Sequence, residues 1–162
     1  MARALVIAVI GENDPTPETA ALAEAVGAGI ASAGAVLVCG GLGGVMEAAC
    51  RGAHGKGGVT IGILPGTRPG DANLYVTYPI PTGLGHVRNI LVARAAQAVI
   101  AIGGKYGTLS EIAFAKIEGI AVIGLQTWEF RREGFGDDAI LRATGAKEAV
   151  RMALEAARNR AV

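Results

Sequence analysis

The residues best placed to do chemistry in this 162-residue chain are glycines, with an arginine and a glutamate set among them. Gly103, Gly104 and Gly107 interrupt the stretch that leads through Lys105 and Tyr106 to Thr108, and Glu111 follows three residues later. Glycine lets a ligand approach the backbone, and a helix starting there offers free N–H groups and the positive end of its dipole. The pattern therefore suits an anion. A second loop, Gly40, Gly41, Leu42, Gly43 and Gly44, has the same potential. Residues 85–89 supply Arg88, which reads either as a solvated first-turn arginine or as a bidentate partner for phosphate or carboxylate. Thr108 and Glu111 also have the spacing of a capping box. Glu111 is thus either a helix cap or a carboxylate at the ligand's edge, and one residue can do both.

These residues need strands and helices to bring them together. Residues 4–10 read as a first strand. A helix follows from Pro17, capped by Thr16, with Leu22, Val26 and Ile30 on its apolar face and Gly34 ending it. Residues 35–39 form a second strand, 45–53 a second helix, and 59–64 a third strand after a turn at 54–58. A loop at 65–73 leads to a short strand near 75–80 and a helix over 86–96. Ala98–Ile102 is apolar throughout, as in a strand buried on both faces, and a helix over 108–118 succeeds it. Ala121–Leu125 is the next strand, 128–138 a charged connection, 139–143 a short edge strand, and Thr144 caps a closing helix. The expectation is α/β: one domain over residues 1–162, a doubly wound, Rossmann-like, mostly parallel sheet with helices on both faces. Ligands of such sheets bind at the carboxyl ends of strands, where both glycine loops fall.

Composition narrows the function. Net charge is +1, from 15 basic and 14 acidic residues, which argues against nucleic acid as a bulk partner and gives no basic face for an anionic membrane. Mean hydropathy is high at +0.42, yet no apolar run approaches the roughly 18 residues of a membrane span. The first strand loosely mimics a signal peptide, but Glu12 and Asp14 follow at once, so a cytoplasmic protein is expected. Cys39 and Cys50 lack zinc or thioredoxin spacing and are expected to be reduced and buried.

Several motifs fail. Gly41-Leu42-Gly43 begins a dinucleotide fingerprint, but Met46 stands at its last glycine and no acid follows about twenty residues on. Gly55-Lys56 continues into Gly57, so there is no Walker A loop. His54 and His86 lack partners at metal spacing, and no metal site is expected. Neither Ser32 nor Ser110 lies in a nucleophile elbow.

Gly103-Gly104-Lys105-Tyr106-Gly107-Thr108-Leu109-Ser110-Glu111 resembles the Pro-Gly-Gly-x-Gly-Thr-x-x-Glu signature of the Lonely Guy family. Its members are cytokinin-activating phosphoribohydrolases that were long mistaken for lysine decarboxylases. Gly40 to Met46 resembles that family's earlier glycine loop, and Arg88 stands where the family carries a catalytic arginine. Ile102 replaces the signature's proline, and Asn89 stands where the enzymes have lysine. These departures resemble the compact relatives that include molybdenum cofactor carrier proteins, and more distantly the DNA-processing protein DprA. The resemblance implies a phosphorylated, nucleotide-like ligand or cofactor, with a nucleotide or molybdenum cofactor possible as the bound group and no cofactor required. It implies a homodimer or homotetramer. The ligand-binding residues would be Gly40, Gly41, Gly43, Gly44, Arg88, Asn89, Gly103, Gly104, Gly107, Thr108 and Glu111. The alternative is a phosphoribohydrolase that cleaves nucleoside 5′-monophosphates, with Arg88 and Glu111 catalytic. Asn89 cannot supply the missing lysine's charge, which favours binding over cleavage.

Overall fold

Among the described residues, seven short segments, the central ones rich in valine, isoleucine and alanine, pair side by side, all parallel, in the order β4-β3-β2-β1-β5-β6-β7. The strands are β1 (Val6–Gly11), β2 (Val36–Cys39), β3 (Thr60–Leu64), β4 (Tyr78–Pro81), β5 (Ala98–Ile102), β6 (Ala121–Leu125) and β7 (Leu141–Arg142). A computed structural model of the chain describes residues 3–134 and 140–160. Among these described residues, five α-helices accompany the strands: α1 (Pro17–Ser32), α2 (Val45–His54), α3 (Asn89–Arg94), α4 (Tyr106–Ile117) and α5 (Ala146–Asn159).

Side chains alternate across a strand, so each strand feeds two cores. Ile7, Val9, Leu37, Ile100 and Ile102 pack with α1, α2 and α5 on one face. Ala8, Ile10, Val38, Val99 and Ala101 pack with α3 and α4 on the other. The sheet is therefore doubly wound, as the apolar runs require. β1 lies between β2 and β5, with Gly11 in register with Ile102, and the direction of winding reverses there. That reversal opens a crevice at the carboxyl ends of β1 and β5.

Local signals place most ends correctly. Thr16 Oγ1 accepts from the Thr19 N–H at 3.2 Å and caps α1, and Gly34 turns the chain out with φ of +73°. Three details differ from the expectation. The helix expected over 86–96 is a tight 3-10 turn, Gly85–Arg88, followed by the shorter α3, because the Gly85 N–H is tied to Pro65 O at 3.0 Å. The strand near 75–80 starts later, at Tyr78, since Thr60 Oγ1 donates to Tyr75 O at 2.6 Å and holds that residue in a turn. Thr144 precedes the cap of α5, Gly145, rather than being it: its N–H and its hydroxyl both donate to Glu148 at 2.7 Å, which turns its side chain to the glutamate instead of the helix start. Parts of the expected 128–138 connection and 139–143 strand lie outside the described residues. Among the described residues, no helix is long and apolar enough to cross a membrane.

Candidate functional site

Because β1, β2, β3 and β5 run parallel, the segments leaving their carboxyl ends converge. They enclose a cleft of about 240 Å³. Gly11 and Asn13 come from the end of β1, Leu42 and Met46 from the stretch after β2, and Pro65 from the end of β3. Gly85, His86, Arg88 and Asn89 come from the turn into α3, and Gly107, Thr108 and Glu111 from the first turns of α4. Five of the expected residues thus line the cleft together: Arg88, Asn89, Gly107, Thr108 and Glu111.

The other six glycines, Gly40, Gly41, Gly43, Gly44, Gly103 and Gly104, do not line it. Two of them support it from behind. Gly40 packs so closely on Arg88 that a Cβ there would sit 2.7 Å from the guanidinium and 2.8 Å from Met46 Sδ. Gly44 holds φ of +69° at the start of α2 and lies against the backbone carbonyls of Glu12 and Asn13, where no side chain fits.

Arg88 is only 7 % exposed, although nothing in the cleft forms a contact ion pair with it among the described residues. Its Nη1 donates to Asn89 Oδ1 and its Nη2 donates to Gly40 O at 3.4 Å, while Nε is buried without a hydrogen-bond partner. Asn89 Nδ2 in turn donates to Ser110 Oγ at 3.0 Å, and that hydroxyl donates to Gly107 O at 2.6 Å. The Asn89 amide thus links Arg88 to the first turn of α4 while Asn89 lines the cleft. Burial lowers the Arg88 pKa from its ordinary value, with the charge of Glu111 opposing the shift.

Glu111 is also 7 % exposed. Desolvation pushes its carboxyl up from 4.5 to about 7, with Arg88 pulling the other way. The capping-box reading of Thr108 and Glu111 is overturned: α4 begins at Tyr106, two residues before the expected start, so Thr108 is already inside the helix and Glu111 a further turn in. The glycines disguised the helix start, since Gly107 belongs to the first turn. What remains at this position is a buried acid facing the cleft beside a buried, partly unpartnered cation.

Cys39, at the end of β2, and Cys50, on α2, are buried, as expected, and are free; their sulfurs lie 3.5 Å apart, which the sequence reading did not anticipate. The contact with Cys50 and burial push the Cys39 thiol up. Among the described residues, no group of three or more His, Cys, Asp or Glu could hold a metal ion. Sequence reasoning missed Gly11, Asn13, Leu42, Met46, Pro65, Gly85 and His86 as site residues. The available signal was position alone, since each of the first five lies at or just after a strand's carboxyl end.

Comparison with known proteins agrees with this fold. An uncharacterized protein of Archaeoglobus fulgidus is 46 % identical over 121 residues, covering 74 % of this chain and 79 % of that protein. The molybdenum cofactor binding protein of the phototrophic bacterium Rippkaea orientalis superposes with a TM-score of 0.88 at 32 % identity, covering 96 % of this chain and 98 % of that one. The molybdenum cofactor carrier protein of Chlamydomonas reinhardtii gives a TM-score of 0.83 at 29 % identity, with 97 % and 100 % covered. DprA of Streptococcus pneumoniae, at 21 % identity and a TM-score of 0.70, shares the fold over 91 % of this chain and 61 % of its own. The model of the SLOG cluster4 family matches residues 4–158, and the chain belongs to that family.

Proposed function

We propose that the cleft binds a phosphorylated small molecule of nucleotide or pterin type, including the molybdenum cofactor, and that residues 1–162 act as one binding domain for it. The observation that carries this reading is Arg88, a buried guanidinium whose Nε has no partner. An unpaired buried donor costs about 1–3 kcal/mol, more when charged, and an anion in the cleft removes that cost. Gly107 and Thr108, in the first turn of α4, add backbone N–H groups and the helix dipole on the same side. The donor set suits the phosphate of a phosphorylated pterin, while among the described residues no group of three or more His, Cys, Asp or Glu could by itself hold a metal ion. The relatives described as molybdenum cofactor binding and carrier proteins support the same reading. Phosphate binding would work through Arg88 and the α4 N-terminus, with Asn89 and the glycines of both loops positioning them.

Calorimetric titration of ribose 5-phosphate and a phosphorylated pterin into wild type and Arg88→Ala tests this. A charge-assisted hydrogen bond to phosphate contributes about 1.5–3 kcal/mol, so the variant binds roughly 10- to 150-fold more weakly. Unchanged affinity in a folded variant removes Arg88 from the site and the reading with it.

A second reading, cleavage of nucleoside 5′-monophosphates, is favoured by one observation: a buried Glu111 with a pKa of about 7 is poised to pass a proton near neutrality. In that reaction the C1′–N bond breaks, water oxygen joins C1′, and the departing base takes up a proton. Incubation with a panel of monophosphates, assayed for free base and ribose 5-phosphate, separates the two. Turnover lost in Glu111→Gln establishes cleavage, and intact monophosphates leave binding alone.

A further inference from the structure

The cleft is smaller than the ligand class proposed for it. Small-molecule sites commonly enclose about 300–1,000 Å³, whereas this one encloses about 240 Å³. It holds a phosphate and the group next to it, and a fused heteroaromatic ring then has to lie across the rim. The exposed apolar residues nearest to the cleft in the chain are Leu84, Val87 and Tyr106. Of these three, Tyr106 alone offers a π-face.

Tyr106 opens α4, directly before the cleft residues Gly107 and Thr108, and is 81 % exposed. A single exposed tyrosine is ordinary. This one has a partner: its ring centroid lies 6.0 Å from that of Trp128, with the planes tilted by 36°. Trp128 is fixed in place. It packs partly against the core shared by α3 and α4, its Nε1 donates to Lys105 O at 3.2 Å, and its own carbonyl accepts from Arg142 Nη2 at 2.6 Å. The neighbouring Thr127 Oγ1 donates to Gly103 O at 2.5 Å. The bonds from Trp128 and Thr127 tie the aromatic pair to both ends of the 103–105 glycine loop. Gln126, just before them, is the one non-glycine described residue with positive φ, at +52°, so the chain holds an uncommon backbone geometry in order to place this segment.

We propose that Tyr106 and Trp128 form a stacking platform for the heteroaromatic ring of the ligand whose phosphate lies in the cleft, the ring resting on the open face of Tyr106. The chemistry recognised is a planar purine or pterin carrying a phosphate arm. Lys105, exposed between the glycine loop and the rings, adds a cation to that edge. This rests on the phosphate reading above and deepens it.

Trp128 is the only tryptophan of the chain, so its emission reports on the platform directly. AMP and a phosphorylated pterin serve as ring-bearing probes, and ribose 5-phosphate as the ringless one, each titrated into wild type, Tyr106→Ala, Tyr106→Phe and Arg88→Ala. The expected result is quenching of Trp128 by the ring-bearing probes only. Tyr106→Ala weakens those probes by roughly 5- to 150-fold, the range given by one base–aromatic stack, and leaves ribose 5-phosphate unchanged. Tyr106→Phe restores binding, since it keeps the ring. Equal affinities for the ring-bearing probes in wild type and Tyr106→Ala overturn the platform while Arg88→Ala still reports on the phosphate site. Loss of all three probes in Tyr106→Ala also overturns it, by making Tyr106 part of the phosphate site. Emission of Trp128 that shifts on dilution without ligand overturns it too, by showing the rings covered by a second copy. No saturable binding of any probe to wild type overturns the platform and the phosphate reading together.

Discussion

Replacing Glu111 with glutamine makes the protein more stable, and does so only above a definite pH. Glu111 is buried on α4 with its carboxyl raised from 4.5 to about 7, chiefly by desolvation. For an acid raised on folding the sign is the reverse of the familiar salt-bridged case. Below 4.5 the folded and unfolded chains both hold the proton, and ionisation costs nothing. Between 4.5 and 7 the unfolded chain releases its proton while the folded one keeps it, so wild-type stability falls by up to about 1.4 kcal/mol per pH unit. Above 7 both are ionised and the whole penalty is in place, about 3 kcal/mol over that window. Glutamine has the shape of the protonated acid and carries no charge to desolvate. Glu111→Gln therefore matches wild type near pH 4 and exceeds it by about 3 kcal/mol near pH 8. Denaturant unfolding of both proteins across this range measures the difference. A gap that stays flat with pH would falsify the argument, because a purely structural gain or loss has no reason to titrate.

Three other outcomes follow from the packing. Gly27 of α1 faces the backbone of Ala49 on α2, and a Cβ there would run into the Ala49 carbonyl; Gly27→Ala should cost about 1–3 kcal/mol by overpacking despite alanine's better helix propensity, read as a lower denaturation midpoint. Gly57, by contrast, has open space around it but φ of +69°, so Gly57→Ala should lose about 1 kcal/mol to backbone strain alone and leave ligand affinity untouched. The resemblance implies a homodimer or homotetramer, for which Val87 and Ile117, 67 % and 77 % exposed, offer apolar surface; sedimentation at micromolar concentration should show a species heavier than 16.3 kDa, and a lone monomer rules that assembly out.

How far the chain could be read in advance depended on the range of the forces involved. Ala98–Ile102 and Ala121–Leu125 fall where their unbroken apolar runs put them, because burial on both faces leaves a local mark. The Thr16 cap is equally local, decided within three residues. The start of α4 was not legible, since Gly107, a residue type that usually signals a loop, here lies in the helix's first turn, and tertiary packing overrides its propensity. Cleft residues such as Asn13 and Met46 carry no motif. They meet Arg88 only because the strands run parallel in one register, and the Arg88–Gly40 contact joins residues 48 apart in the chain. The position of Glu111 is the instructive case. Its spacing to Thr108 is that of a cap, but helical phase turns it inward, where a carboxylate lowers stability at neutral pH. A purely structural role at that position would be served better by an uncharged side chain of the same shape. A group that costs the fold about 3 kcal/mol and faces an arginine whose Nε has no partner supports the proposal that Glu111 serves the chemistry of the cleft rather than the stability of the helix.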